Sequence, residues 1–168
     1  MNVEIKSGSE QKVGQEKVGM KAEAVVSCLL EESVHLKTPV GKVWEALKEF
    51  NWEKICPTKV KACKFLTGTS MQIGSTYKLE LNDGATYTFM IVEMSELKRK
   101  YTFEMIDCEP KQKFSSMLST LKCCPVTEDH SVVLNWQTLY SNDVTNDIIK
   151  ARREVIKSYF ADMKKLEQ

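Results

Sequence analysis

Proton transfer inside a folded domain needs two titratable groups within reach of one bound molecule, in surroundings that push their pKa values apart. The side chains here that could serve are Tyr77, Tyr101, Glu104 and Arg152. A tyrosine titrates near pH 10 unless something lowers it, so it is a slow base at neutral pH. Arg152 falls in a helical stretch, where a long cationic side chain is ordinarily solvated. No acid–base pair is assembled, and no residue is assigned a catalytic role. Metal chemistry fares no better: His35 and His130 are far apart, and Cys28, Cys56, Cys63, Cys108, Cys123 and Cys124 form neither a C-x-x-C pair nor a Cys/His cluster at zinc spacing. Neither a metal nor a cofactor is expected. The adjacent Cys123 and Cys124 would form a strained ring if bridged, so all six cysteines are expected as thiols. Lys98-Arg99-Lys100 reads as a solvated turn.

The near balance of charge, +1 over 168 residues with 28% charged, gives no basic field for nucleic acid to recognise. Nowhere is there the run of about 18 apolar residues that a membrane-spanning helix requires. Met1 to Lys21 is polar, contains Gly8, Gly14 and Gly19, and lacks the apolar segment of a secretory signal. The reading is a tail over 1–22, one domain over 23–168, and a cytoplasmic location without integral membrane association.

The elements that must position any site follow from periodicity. Ala24 to Leu36 reads as a first strand. Thr38 followed by Pro39 opens a helix as cap and first residue, and Val40, Val43, Trp44, Leu47 and Phe50 form its apolar stripe. A short turn at Trp52 to Ile55 ends before Pro57. Six strands are predicted next: Val60 to Leu66, Ser75 to Leu81, Ala85 to Met94, Lys100 to Asp107, Phe114 to Cys124 and Ser131 to Tyr140. Asn82-Asp83-Gly84 marks a tight hairpin between the second and third of these. A helix from Val144 to Leu166 closes the chain, with Ile148, Ile149, Val155, Ile156, Tyr159, Phe160 and Met163 on its apolar side, and with Arg153, Glu154, Lys157, Asp162 and Lys164 opposite. The class is α+β, an antiparallel sheet with the last helix on one face.

Alternation along each strand nominates the inner face. Tyr77, Leu79 and Leu81 stand against Lys78 and Glu80. Tyr87, Phe89 and Ile91 form the next choice, with Thr88, Met90 and Val92 nearly as apolar, so the phase of that strand stays open. Tyr101, Phe103 and Met105 alternate with Thr102 and Glu104, and Leu134 and Trp136 with Asn135 and Gln137. On the last helix Val155, Ile156 and Tyr159 face the same space. An apolar stripe of this kind is ordinarily core. Tyr77, Tyr87, Tyr101, Trp136 and Tyr159, however, carry polar tips that need partners when buried, and pockets orient apolar ligands with a few such groups.

The order of elements, with Thr38-Pro39-Val40-Gly41-Lys42-Val43-Trp44, Ile73-Gly74-Ser75-Thr76-Tyr77 and Val133-Leu134-Asn135-Trp136 in their places, resembles the START/Bet v 1-like (SRPBCC) superfamily, in particular its polyketide cyclase/dehydrase branch. The likeness runs from about Val34 to Leu166. It implies a helix-grip fold, a seven-stranded antiparallel sheet wrapped around the C-terminal helix with a cavity between them, and it places Phe114, Ser116 and Leu118 inward. In cyclase- and dehydratase-like relatives, including the plant lachrymatory factor synthases, the resemblance implies an arginine at the position of Tyr77 and an acid near Phe89. Both are aromatic here. The expectation is therefore a carrier or sensor of a small apolar or amphipathic ligand such as a lipid, sterol or polyketide, with a cyclase- or dehydratase-like enzyme as the alternative. Leu66 to Gly74, with exposed Met71 and Ile73, is a candidate gate through which a protein partner could associate transiently.

Overall fold

β1 (Leu29–Leu36) leads through α1 (Val40–Lys48) and α2 (Trp52–Ile55) into β2 (Val60–Thr67), β3 (Thr76–Leu81), β4 (Thr86–Ser95), β5 (Lys100–Glu109), β6 (Met117–Val126) and β7 (Ser131–Tyr140), and α3 (Asn146–Lys165) follows. This is a computed structural model, and it describes residues 27–165. The first-strand expectation over Ala24–Val26, the tail over 1–22 and the helix end at Leu166 lie outside the described residues. All seven strands form one antiparallel sheet in the order β1-β7-β6-β5-β4-β3-β2. This is the helix-grip arrangement, with α3 against the concave face.

Two helix starts differ from expectation in detail. Pro39, not Thr38, flanks α1, and no side chain caps it. Its fixed φ of −57° with ψ of 139° sets a non-helical entrance, and its carbonyl accepts from Lys42 N at 3.0 Å and Val43 N at 3.4 Å. At α3 it is Thr145 that turns the chain, its carbonyl accepting from Ile149 N at 3.1 Å. Phe50, just past α1, takes a φ of +55°. That costly conformation delivers its ring to Tyr77, Phe65 and Tyr101 at centroid distances of 4.9, 5.2 and 5.3 Å.

The sheet curls because it is bulged. Register shifts occur in β2–β3 on either side of Ala62–Phe65 and in β4–β5 beside Phe89 and Val92, and each extra residue bends its strand and raises its twist. The β3–β4 hairpin is closed by Leu81 N donating to the Ala85 carbonyl at 2.8 Å. Gly84 supplies the required positive φ, 91°.

The bulges also decide which side chains face in. On β4, Phe89 and Ile91 are buried, so the open phase settles on Tyr87, Phe89 and Ile91. On β5, Ile106 has no partner in the ladder, so Cys108 turns inward after Met105. β6 starts at Met117, three residues later than expected, and its buried set is Met117, Ser119, Leu121 and Cys123. Leu118 therefore belongs to the outer face, with Val92, Glu104 and Leu139 around it. This corrects the inward placement of Leu118. Asp162, read as solvated, is 3% exposed.

Candidate functional site

Ile148, Arg152, Val155 and Tyr159 stand four, three and four residues apart on α3, one helical stripe. They form one wall of a cleft of about 240 Å³. Its other walls are Leu81 and Asp83 of the β3–β4 hairpin, Tyr87, Met105, Met117 and Tyr140 from the sheet, and Gln112 and Phe114 from the segment before β6. Through Tyr87, Arg152 and Tyr159 the cleft continues inward to a recess under the sheet, lined also by Trp52, Val60, Tyr77, Leu79, Phe89, Phe103 and Trp136. A second opening of about 390 Å³ leads outward past Thr58, Lys59, Asn82 and Ser158, sharing Leu81, Asp83, Val155 and Tyr159 with the first.

The hollow is not where the sequence placed most of it. The deep recess holds only about 20 Å³, because aromatic rings fill it. Trp136 and Tyr159 stack at 5.5 Å with an interplanar angle of 13°, and Trp52 lies 6.1 Å from Trp136 and 6.4 Å from Tyr159. Ligand-sized room lies further out, between the first half of α3, the β3–β4 hairpin and the Phe114 segment.

The candidate residues divide accordingly. Tyr87, Met105, Phe114, Val155 and Tyr159 line the cleft, while Tyr77, Leu79, Phe89, Phe103 and Trp136 line the recess, which Tyr87 and Tyr159 also border. Three do neither. Tyr101 and Leu134 are fully buried in the packed core, the former beside Trp44 and Phe50, and Leu118 is on the far side of the sheet. Phe114 reaches the cleft from a connecting segment, not a strand, its ring edge-on to Tyr140 at 5.1 Å. Met117, Gln112, Tyr140 and Ile148 were not among the candidates, and Arg152 was considered only as an acid or base group and read as solvated. For Arg152 a signal existed: it shares its helical spacing with Ile148, Val155 and Tyr159, so a solvated Arg152 would have pulled that stripe off the core.

Arg152 is the cation that the cleft and the recess share. Its Cζ lies 5.5 Å from the centroid of the Trp136 ring, within cation–π range. Burial pushes the hydroxyls of Tyr87, Tyr140 and Tyr159 above the ordinary tyrosine value, and the nearby guanidinium offsets part of that rise in each. Tyr77 and Tyr101 are raised well above it, again by burial first. At neutral pH these phenols keep their protons and can donate but not abstract. Glu104 projects from the opposite face of the sheet, paired across the ladder with Met90 and Leu118, and cannot reach the cleft. Tyr77 and Phe89 are direct cross-strand partners, rings 5.5 Å apart, so the two positions at which the resemblance implied an arginine and an acid hold a packed aromatic pair.

The Phe114 lip is tied to the α3 entrance. Asp143 accepts from Ser115 N at 3.1 Å, Ser115 Oγ at 2.6 Å and Ser141 Oγ at 2.5 Å, and these bonds hold its carboxyl down at about 2. The Leu66–Gly74 connection does not border the cleft. Ser75, buried at its end, accepts from Thr69 N at 2.9 Å, and a Cβ on Gly68 would come within 2.0 Å of Ser75 Oγ. Leu66, Met71 and Ile73 are exposed on it. Among the described residues no three His, Cys, Asp or Glu side chains gather as metal ligands, and no helix is long and apolar enough to cross a membrane.

Comparison with known proteins agrees with this architecture. Solved structures that superpose on the chain include a protein from Nitrosospira multiformis, with 21% identity and a TM-score of 0.73 over 83% of this chain and 96% of that one. Ginseng major latex-like protein 151 from Panax ginseng, 16% identical, gives a TM-score of 0.69 over 83% and 96% of the two chains. A Bacillus thuringiensis protein, 18% identical, gives 0.70 over 83% and 98%. A search of curated protein sequences gives no significant match. The family described as "Polyketide cyclase / dehydrase and lipid transport" matches residues 27–166. With that span, the bulged seven-stranded sheet and the C-terminal helix gripped by it, the chain belongs to this family, within the START/Bet v 1-like superfamily.

Proposed function

We propose that the domain binds a small hydrophobic or amphipathic molecule in the cleft between α3 and the sheet, as a carrier or sensor and without resident cofactor. The observation that carries this reading is the cleft itself: mostly apolar walls, a few tyrosine hydroxyls and one arginine, open to solvent at two mouths. Tyr87, Met105, Phe114, Val155 and Tyr159 are the proposed contacts. The recess residues Tyr77, Leu79, Phe89, Phe103 and Trp136 form its floor. Thiols throughout, with none of the six cysteines in a disulfide, fit a reducing cytoplasmic setting.

Binding is measured with an environment-sensitive apolar dye and by thermal unfolding. A ligand at one hundred times its Kd stabilises the folded state by about 2.7 kcal/mol, which for a chain of this size raises Tm by roughly 5–10 °C. Val155→Trp, which fills the cleft without touching the recess, is expected to weaken dye binding about fivefold or more. A panel of fatty acids, sterols and aromatic polyketides that leaves both fluorescence and Tm unmoved would overturn the reading.

The alternative in the same cleft is a cyclase- or dehydratase-like reaction, in which a raised tyrosine beside Arg152 would donate a proton. It predicts that Tyr87→Phe or Tyr159→Phe abolishes turnover with binding intact. Exposed Leu66, Met71 and Ile73 offer a protein partner an apolar contact remote from the cleft; pull-downs that depend on those three residues would support such a role, and identical recovery after their replacement by serine would remove it.

A further inference from the structure

Arg152 occupies the neck that the recess and the cleft share. Its Nε is buried without a hydrogen-bond partner, and so are the indole Nε1 atoms of Trp52 and Trp136. All three residues line the recess. Guanidinium and indole nitrogens only donate, so the three buried atoms left unpaired around this one small space are all donors. The other two unpartnered buried side-chain atoms among the described residues, Glu53 Oε2 and Tyr101 Oη, belong to residues that line neither recess nor cleft. Buried donors are rarely left without acceptors.

The charge balance points the same way. Asp83 is the acidic residue on the cleft wall, and its Oδ1 already accepts from Ala85 N in the hairpin at 2.9 Å. At the Tyr87 hydroxyl the influence of Arg152 exceeds that of Asp83. The recess has about 20 Å³ of free space, too little for a ring or chain but enough for one oxygen-sized group, whereas the apolar cleft beside it accepts a longer body.

We infer that the neck is an anion anchor and that the ligand is an apolar monocarboxylate, its carboxylate accepting from Arg152 and its hydrocarbon lying in the cleft. This rests on the cleft being a binding site and narrows it to one head-group chemistry. A carboxylate accepts on two oxygens and can satisfy the guanidinium edge, with lone pairs left over for an indole N–H. An alcohol of equal length offers one weaker acceptor, and a quaternary ammonium offers none.

The test compares decanoate, 1-decanol and decyltrimethylammonium on the full chain by calorimetry or dye displacement at pH 7.5. The expected result is that decanoate binds about tenfold or more tightly than decanol, the usual scale of a charge-assisted hydrogen bond, with the ammonium weakest. Arg152→Gln should erase the preference, lowering decanoate affinity about tenfold and leaving decanol within about twofold, and Arg152→Lys, which keeps the charge but loses the two-pronged edge, should retain only part of it. Equal binding of decanoate and decanol, or a loss in Arg152→Gln that is the same for both, overturns the anchor while leaving the cleft a binding site. Failure of all three probes to bind overturns both readings. Far-UV circular dichroism and Tm of each variant separate loss of fold from loss of anchor.

Discussion

Single side chains in this domain are judged by which face of a strand they occupy, and neighbours can differ sharply. Met117 is 3% exposed and lines the cleft, whereas Leu118 is outside. Met117→Ser is expected to cost about 2–4 kcal/mol in denaturant unfolding, the range for truncating a buried methionine, and Leu118→Ser less than about 1 kcal/mol. A larger loss at Leu118 would reverse the register. The thiols follow the same rule. Burial raises Cys56 beyond any physiological range and Cys63 and Cys123 to about 12, so none is a thiolate near neutral pH. Ellman's reagent at pH 8 is expected to leave Cys56 and Cys123 unmodified until denaturant is added; prompt reaction at either, read by peptide mapping, would contradict their burial.

Between elements, two carboxylates act as ties. Asp162 on α3 accepts from Thr58 N at 3.1 Å and Thr58 Oγ1 at 2.5 Å and pairs with Lys165 at 3.2 Å, joining the last helix to the α2–β2 connection. Burial raises its pKa, but the Thr58 and Lys165 bonds outweigh that and hold it below the ordinary value. Asp162→Ala is expected to destabilise by about 1–3 kcal/mol through the donors left unpaired. The pH dependence has a fixed sign. A folded pKa below the unfolded one means that the unfolded chain binds the proton first, so this stabilisation is complete above about pH 4 and fades as pH falls through the folded value. Asp143 behaves alike between about pH 4 and its folded value of about 2. Asp143→Asn should speed amide exchange over 114–116 at neutral pH; unchanged exchange would show that the lip is held by something else. The extent to which these elements were legible in the sequence is instructive. Periodicity placed β2 to β7 within a few residues, because tight turns such as Asn82-Asp83-Gly84 and the two-residue alternation are local. Bulges are not local: nothing in Tyr101–Glu109 marks Ile106 as unpaired, so inward Cys108 went unseen. β6 was legible in principle, since Lys122 shares its phase with Leu118 and would have been driven into the core.

At the scale of the whole molecule, the fold was readable and the hollow was not. The segregated order of elements dictates which surfaces meet, but how much space remains depends on rings from four elements converging, and Trp52 joins Tyr77, Trp136 and Tyr159 in nearly closing the recess that the polar tips of those three had suggested. Filling is itself a source of stability, since each large ring removes apolar area from water. Trp136→Ala is expected to cost about 3–5 kcal/mol while enlarging the recess, so a variant that survives should take up bulkier ligands than the parent; denaturant midpoints and a ligand-size series together check this.

The irregular register of β2 has a bearing on how copies of this chain coexist. β2 ends the sheet, and an unpaired margin of that kind invites another strand to zip alongside it. Here the run in regular register is only Ala62–Phe65, and it carries an exposed charge at Lys64, with Lys61 exposed just before it. Such a margin presents too short and too charged a template for self-addition, so crowding at high concentration should find little purchase there.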